Sequence, residues 1–127
     1  KKVLIVEDSP TIRSVISNNL VQTGFNEENI LQAGNGEEGI KILKTETVNL
    51  VILDWYMPVM NGLVATQIIR EIPKFSNLPI IALTASAGEG SRDECLGVGC
   101  TDHISKPIQL SELSSMLKRY LKSPNGK

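Results

Sequence analysis

The sequence predicts an α/β fold, in which a doubly wound parallel sheet of five strands is covered by five helices. Short apolar runs alternate along the chain with segments of helical periodicity. The runs are rich in β-branched residues and apolar at every position, a pattern typical of strands buried on both faces of a parallel sheet. The length of 127 residues suits one domain.

The first two strands and the helix between them have clear boundaries. Residues 3–6 are apolar throughout and predict the first strand. Ser9 and Pro10 then supply an N-cap and a proline at the first helical position. Apolar residues recur at helical spacing until Gly24, which is typical of a helix end. A short second strand is expected at 30–33.

The middle of the chain repeats this order. Asn35 precedes a second helix, whose apolar residues lie three apart at 40–43. Residues 50–53 form the third predicted strand. Turn-forming residues over 55–62 indicate a loop. The third helix is expected at 64–72, where the following proline stops it.

The last elements are two strands and two helices. Residues 79–83 predict the fourth strand, and 103–105 a brief fifth strand. Between them we expect a short helix at 92–96. The apolar stripe of the last helix, at 110–121, is the most regular in the chain.

The composition excludes several functional classes. The 13 basic and 14 acidic residues give a net charge of −1, which offers no electrostatic footprint for nucleic acid or a membrane surface. A single histidine, His103, cannot build a multi-histidine metal centre. Cys95 and Cys100 could form a disulfide, but we expect free thiols in a reducing compartment and therefore a cytoplasmic protein.

Polar and charged residues collect where the predicted strands end. They are Glu7 and Asp8 after the first strand, Asp54 after the third, Thr84 after the fourth and Lys106 after the fifth. Doubly wound folds bind ligands beyond the carboxyl ends of their strands. One acid at a strand end is usually a solvated surface group, whereas five compatible groups favour a site. Their convergence depends on the strand order, which periodicity alone does not fix.

The chemistry of these five groups indicates phosphoryl transfer beside a hard cation. Three close carboxylates repel one another unless a cation lies among them. Oxygen ligands without cysteine or paired histidine suit Mg²⁺, which together with Lys106 would neutralise a transferring phosphoryl group. Asp54 is the predicted acceptor because it is central, whereas Glu7 and Asp8 are adjacent in sequence and placed to clamp the metal.

Four segments resemble a known family. They are VLIVEDSPTIR at 3–13, VILDWYMPVMNGL at 51–63, PIIALTAS at 79–86 and CTDHISKP at 100–107. Through them the chain resembles the CheY-like receiver domains of bacterial two-component response regulators, as a single receiver domain over 1–127. The resemblance implies a flavodoxin-like sheet with strand order 2-1-3-4-5, an order for which CheY itself is a standard example.

The resemblance implies a role for each residue of the acidic site. Asp54 would accept the phosphoryl group, and Asp8 would contact Mg²⁺ directly. Glu7 would act on the metal through water, and the backbone carbonyl of Tyr56 would complete the protein ligands. Lys106 would pair with a phosphoryl oxygen, and the peptide bond that follows it is often cis in this family.

Two further residues resemble the switch of the family. The hydroxyl of Thr84 would turn toward the phosphoryl group, and His103 would fill the space that it leaves. The surface of the fourth helix, fifth strand and fifth helix would then change and bind a downstream protein. The phosphoryl donor would be a phosphohistidine on a histidine kinase or phosphotransfer protein.

The resemblance leaves the pathway open. The chain could be a stand-alone regulator, as in chemotaxis, or the receiver module of a hybrid kinase or larger regulator. Self-phosphotransfer and self-dephosphorylation are the only reactions expected, so the chain would not be an enzyme. An aspartate-nucleophile phosphatase is the alternative from another class, but the second acid of its D-x-D pattern is replaced here by Tyr56.

Two features depart from the family pattern. Gly88 and Gly90 lie where the fourth helix would begin, and they predict a mobile loop or a late helix start. Tyr56 follows the acceptor by two residues, where its side chain would flank the path of the hydrolytic water and set the lifetime of the acyl phosphate.

Overall fold

A computed structural model describes residues 1–85 and 89–121, with residues 89–91 described by their backbone alone. Its five strands form one parallel sheet in the order β2-β1-β3-β4-β5. The strands are β1 Val3–Val6, β2 Ile30–Ala33, β3 Leu50–Asp54, β4 Ile80–Thr84 and β5 Asp102–Ser105. The predicted fold class and strand order are both confirmed.

Five helices connect or follow these strands. They are α1 Pro10–Gln22, α2 Gly36–Thr45, α3 Gly62–Glu71, α4 Glu89–Gly97 and α5 Leu110–Leu121. Short 3₁₀ turns lie at Glu27–Asn29 and Pro73–Phe75. Helix α4 is longer than the apolar pattern predicts, because that pattern cannot detect a mostly polar helix.

Polar side chains start three of the helices. Ser9 accepts a hydrogen bond from the backbone N–H of Ile12, as its N-cap position predicts. Asn35 caps α2 in the same way. The side chain of Asn61 accepts from the N–H of Val64, which starts α3 two residues earlier than the apolar spacing predicts.

The sheet separates two apolar layers. Leu4 and Val6 point toward the layer that contains α2 and α3, whereas Val3 and Ile5 point toward the layer of α1 and α5. The side chains alternate between the two layers because successive residues of a strand point to opposite faces of the sheet. Burial on both faces accounts for the continuous apolar runs in the sequence.

The strand register brings the acidic residues to one edge. Val6 lies opposite Leu53 across β1 and β3, so the next residues, Glu7 and Asp54, are neighbours. On the other side, β4 ends at Thr84, which lies opposite Ser105 of β5. The convergence expected from the strand order is therefore present in the sheet.

Other expectations concern particular residues. Cys95 and Cys100 are free and buried, as predicted, and the Lys106–Pro107 bond is cis. For the segment 88–90, predicted to be a mobile loop or a late helix start, Glu89 and Gly90 lie in the first turn of α4, whereas Gly88 lies outside the described residues. No helix in the described part of the chain is long and apolar enough to span a bilayer.

Candidate functional site

Three carboxylates meet at the carboxyl edge of the sheet. Glu7, Asp8 and Asp54 each offer an oxygen, and these oxygens lie within 4.8 Å of one another. Glu7 and Asp54 are buried, with 0% and 1% of their surface exposed, whereas Asp8 is exposed. The residues that follow β1 and end β3 therefore form one acidic cluster, of which Asp8 is the member exposed to solvent.

Lys106 is the cation of this cluster. Its Nζ lies 3.1 Å from Asp54 Oδ1 and 3.3 Å from Glu7 Oε1. The backbone N–H of Lys106 donates to the carbonyl of Thr84 at 2.7 Å, which fixes the start of this loop against the end of β4. One ammonium group faces three carboxylates, so the cluster keeps a negative excess whenever all three are ionised.

Two buried oxygens of the cluster lack a hydrogen bond among the described residues. They are Glu7 Oε1 and Asp54 Oδ2; Lys106 is near the first of them, but without hydrogen-bond geometry. The other oxygens have backbone donors, since Ser9 donates to Glu7 Oε2 at 3.1 Å and Tyr56 to Asp54 Oδ1 at 3.3 Å. Because buried carboxylate oxygens are normally satisfied, the orphaned pair fits a hard cation held by oxygen ligands.

The pKa values reflect the crowding of charge. Burial, reinforced by hydrogen bonds and charge from Asp8 and Asp54, raises the pKa of Glu7 from 4.5 to about 7. A hydrogen bond with Glu7 lowers the pKa of Asp8. Burial lowers the pKa of Lys106, but its contacts with Asp54 and Glu7 outweigh this, so that the pKa lies above its usual value.

Of the predicted switch residues, Thr84 lies at the carboxyl edge of the sheet, and His103 lies on the neighbouring strand, two residues further from that edge. Thr84 is fully buried at the end of β4. His103 lies on β5 opposite Ala82, and its side chain is 20% exposed. The imidazole Nδ1 is 4.0 Å from Asp102 Oδ1. His103 is thus largely buried in this structure, with one edge still in solvent.

The loop after β3 carries Tyr56 and turns tightly. The side chain of Tyr56 is 53% exposed, while its backbone N–H donates to the carboxylate of Asp54. Val59 has a φ of 71°, an uncommon conformation for a β-branched residue. A Cβ on Gly62 would lie 2.8 Å from the carbonyl oxygen of Asp54, so this position has room for glycine alone.

The sequence pattern did not reveal two contacts of the site. Arg13 of α1 donates from Nη1 to the carbonyl of Glu7 at 2.6 Å, which anchors the end of β1. Trp55, directly after Asp54, donates from its indole N–H to Glu94 of α4. The second contact has a faint signal in the sequence, since a buried tryptophan normally finds a partner for its N–H; the partner itself lies 39 residues away.

Comparison with known sequences identifies the family. The family model described as the response regulator receiver domain matches residues 3–118. A chemotaxis protein CheY homolog of Campylobacter jejuni is 35% identical over 126 residues, which cover 98% of this chain and 95% of that protein. Hybrid signal transduction histidine kinase G of Dictyostelium discoideum is 42% identical over 120 residues, which cover 94% of this chain but 4% of the kinase.

Solved structures agree with these matches. The receiver domain of the sensor histidine kinase PA1611 from Pseudomonas aeruginosa has a TM-score of 0.85 and 32% identity, covers 97% of this chain and 98% of its own, and holds magnesium in its active-site cleft. The receiver domain of Saccharomyces cerevisiae Ssk1, crystallised with the histidine phosphotransfer protein Ypd1, has a TM-score of 0.85 at 28% identity, over 94% of this chain and 87% of its own. The chain therefore belongs to the response regulator receiver domains, the CheY-like modules of two-component signalling.

Proposed function

We propose that this receiver domain accepts a phosphoryl group on Asp54 from a phosphohistidine of a partner protein. The observation that carries the proposal is the juxtaposition of three carboxylates within 4.8 Å with an ammonium group 3.1 Å from Asp54. A cluster of this charge is costly to bury for structural reasons alone. It suits a reaction in which negative charge arrives and must be neutralised.

Mg²⁺ is the metal that we propose for this cluster. Asp8 and Asp54 would hold it directly, Glu7 through water, and the backbone carbonyl of Tyr56 would complete the protein ligands. Asp54 Oδ2 and Glu7 Oε1 support this assignment, because neither accepts a hydrogen bond from the described residues, and the ammonium of Lys106 at 3.3 Å is the one cation near Glu7 Oε1 among them. When bound, the ion supplies positive charge that stabilises the transferring phosphoryl group.

The residues of the chain have separate tasks in the transfer. An oxygen of Asp54 attacks phosphorus and forms the new P–O bond, while the P–N bond of the phosphohistidine breaks and the leaving imidazole takes a proton from solvent. Lys106 Nζ, already 3.1 Å from the acceptor, pairs with a phosphoryl oxygen as charge accumulates. The N–H of Tyr56, 3.3 Å from Asp54 Oδ1, orients the acceptor carboxylate.

Phosphorylation would shift a two-state equilibrium through Thr84 and His103. The hydroxyl of Thr84 would move toward the new phosphoryl group, and the partly exposed imidazole of His103 would become fully buried. The partial exposure of His103 supports this, because the side chain has a remaining edge to withdraw from solvent. The surface of α4, β5 and α5 would then present a new shape to a downstream protein.

The partner and the setting are proposals of the same kind. A histidine kinase or histidine phosphotransfer protein would be the donor, as the complex of the Ssk1 receiver with Ypd1 suggests by analogy. Residues 1–127 would form one receiver domain in the cytoplasm, either alone, as in chemotaxis, or within a hybrid kinase. Receiver domains are typically non-enzymatic signalling modules, and we propose no turnover of external substrates here.

One experiment tests the acceptor directly. The protein is incubated with acetyl phosphate and Mg²⁺, and the adduct is analysed by intact mass and by its stability in acid and base. We expect an acid-stable, base-labile phosphoryl adduct that is lost in Asp54→Asn and retained in Asp93→Asn, an exposed acid of α4. An adduct of unchanged yield in Asp54→Asn would refute the assignment.

A further inference from the structure

Helix α4 buries little side-chain surface over the part whose side chains are described. Among its described side chains, from Arg92 to Gly97, only Cys95 is buried. The helix therefore lacks the apolar stripe that packs a surface helix onto a core. Glycines at positions 90 and 97 lower its intrinsic helical stability further. Individual tethers should then decide whether α4 stays in place.

One tether joins α4 to the strand that carries the acceptor. The indole Nε1–H of Trp55 donates to Glu94 Oε1 over 2.6 Å. A hydrogen bond from a neutral donor to a carboxylate is charge-assisted and stronger than a neutral one. Glu94 itself is an exposed residue, so the bond holds a surface side chain that would otherwise be free to rotate.

The donor end of this tether is rigid. Trp55 is 2% exposed, and its backbone N–H donates to the carbonyl of Leu83 at 2.9 Å. A Cβ on Gly62 would lie 2.6 Å from Trp55 Cε3, which shows how closely the start of α3 approaches the ring. The indole therefore cannot follow Glu94 if α4 moves, and motion of the helix must break the bond.

The carboxyl end of α4 is fixed by a separate group. Arg70 Nε donates to the carbonyl of Gly99 at 2.8 Å, and Arg70 Nη1 donates to that of Phe75 at 2.7 Å. This anchor lies beyond the last residue of the helix. Helix α4 could thus move away from the domain while its carboxyl end stays anchored by Arg70. The Trp55–Glu94 hydrogen bond is the contact that would resist this motion.

We propose that Glu94 is a positioning residue that latches α4 to the acceptor strand through Trp55, and that α4 opens as a local unit when the latch breaks. The proposal concerns the protein without metal or phosphoryl group, so it does not rest on the function proposed above. It assigns to Trp55 and Glu94 a direct connection between the acceptor strand and α4, separate from Thr84 and His103.

Hydrogen exchange of individual amides tests the latch. The N–H of Val98, which donates to the carbonyl of Glu94, reports on α4, and the N–H of Thr101, which donates to Ile80, reports on the sheet. In Glu94→Ala we expect the Val98 amide to exchange about tenfold faster, as loss of a charge-assisted bond implies. The Thr101 amide should keep its rate. Glu94→Gln retains an acceptor oxygen, so its Val98 amide should exchange at a rate between those of the parent and of Glu94→Ala.

Matched variants separate the latch from general helix stability. Asp93→Ala removes a neighbouring exposed acid of α4 and should not speed exchange of the Val98 amide, since alanine has the higher helix propensity. Gly97→Ala adds a Cβ with no atom within 4 Å at the last residue of the helix, so it should slow exchange of α4 or leave it unchanged. Trp55 is the only tryptophan of the chain, and its emission maximum should change in Glu94→Ala but not in Gly97→Ala or Asp93→Ala.

Two results would overturn the proposal. Equal exchange of the Val98 amide in Glu94→Ala and Asp93→Ala would show that the bond does not hold the helix. Faster exchange of Val98 and Thr101 by the same factor would show that Glu94 supports the whole domain and that α4 is no local unit.

Discussion

In the metal-free protein, ionisation of the buried Glu7 carboxyl group lowers the free energy of unfolding as the pH rises. Replacing Glu7 with glutamine should remove this pH-dependent loss of stability. The folded protein binds a proton on Glu7 up to about pH 7, whereas the unfolded chain releases it near 4.5. Because the folded state then holds more protons than the unfolded state, stability falls as the pH rises through this range. Glutamine keeps the oxygen that accepts from Ser9 but cannot ionise.

The size of the effect follows from the two pKa values. The rise from 4.5 to about 7 corresponds to about 3 kcal/mol once Glu7 is fully ionised in both states. Between about pH 5.5 and about pH 8, roughly 2 kcal/mol of this cost develops. The stability of Glu7→Gln relative to the parent should therefore increase by roughly 2 kcal/mol over the same interval.

Urea denaturation with a chelator present measures this difference at the two pH values. Glu28→Gln, which changes an exposed glutamate in the 3₁₀ turn after α1, serves as the matched control and should show no such increase. The reasoning is wrong if the relative stability of Glu7→Gln is the same at both pH values. Added Mg²⁺ should stabilise the parent more at the higher pH, since the metal competes with the proton on Glu7.

Three further predictions concern the site and its loop. Lys106→Ala removes the cation 3.1 Å from Asp54, and phosphorylation by acetyl phosphate should slow about tenfold or more; an unchanged rate would exclude its role. Tyr56→Asn and Tyr56→Glu should each change the autodephosphorylation rate, measured by loss of the adduct, and rates equal to the parent would contradict a role for this side chain. Gly62→Ala should cost about 1–3 kcal/mol in urea denaturation through the clash with Trp55, whereas Gly97→Ala should not destabilise the protein.

The sheet and its site were predictable because they depend on short-range patterns. Residues 3–6 and 50–53 are short, β-branched runs that are apolar at every position, as is typical of a strand covered on both faces, and each is followed by an acid. The place of Asp54 beside Glu7 then follows from parallel register. The strand order itself came from the family resemblance, since many orders satisfy the same periodicity.

The parts that the sequence pattern did not reveal depend on distant contacts. Helix α4 has no apolar periodicity, and its contact with Trp55 joins residues 39 positions apart in the sequence. The hydrogen bond from Arg13 to the carbonyl of Glu7 could not be predicted either, because the sequence alone suggests that an arginine on α1 is a solvated surface residue. Neither partner is recognisable until the tertiary fold brings it near.

The two apolar layers of the sheet have a consequence for how this chain can change. The layers share strands but no helix, since one contains α1 and α5 and the other α2, α3 and Cys95 of α4. Substitutions at Leu117 in the first layer and Leu43 in the second should therefore have additive effects on stability. The stability that the crowded carboxylates cost can be regained by substitutions that improve packing in the layer of α1 and α5. Such substitutions would leave α4, which packs on the other layer, unchanged.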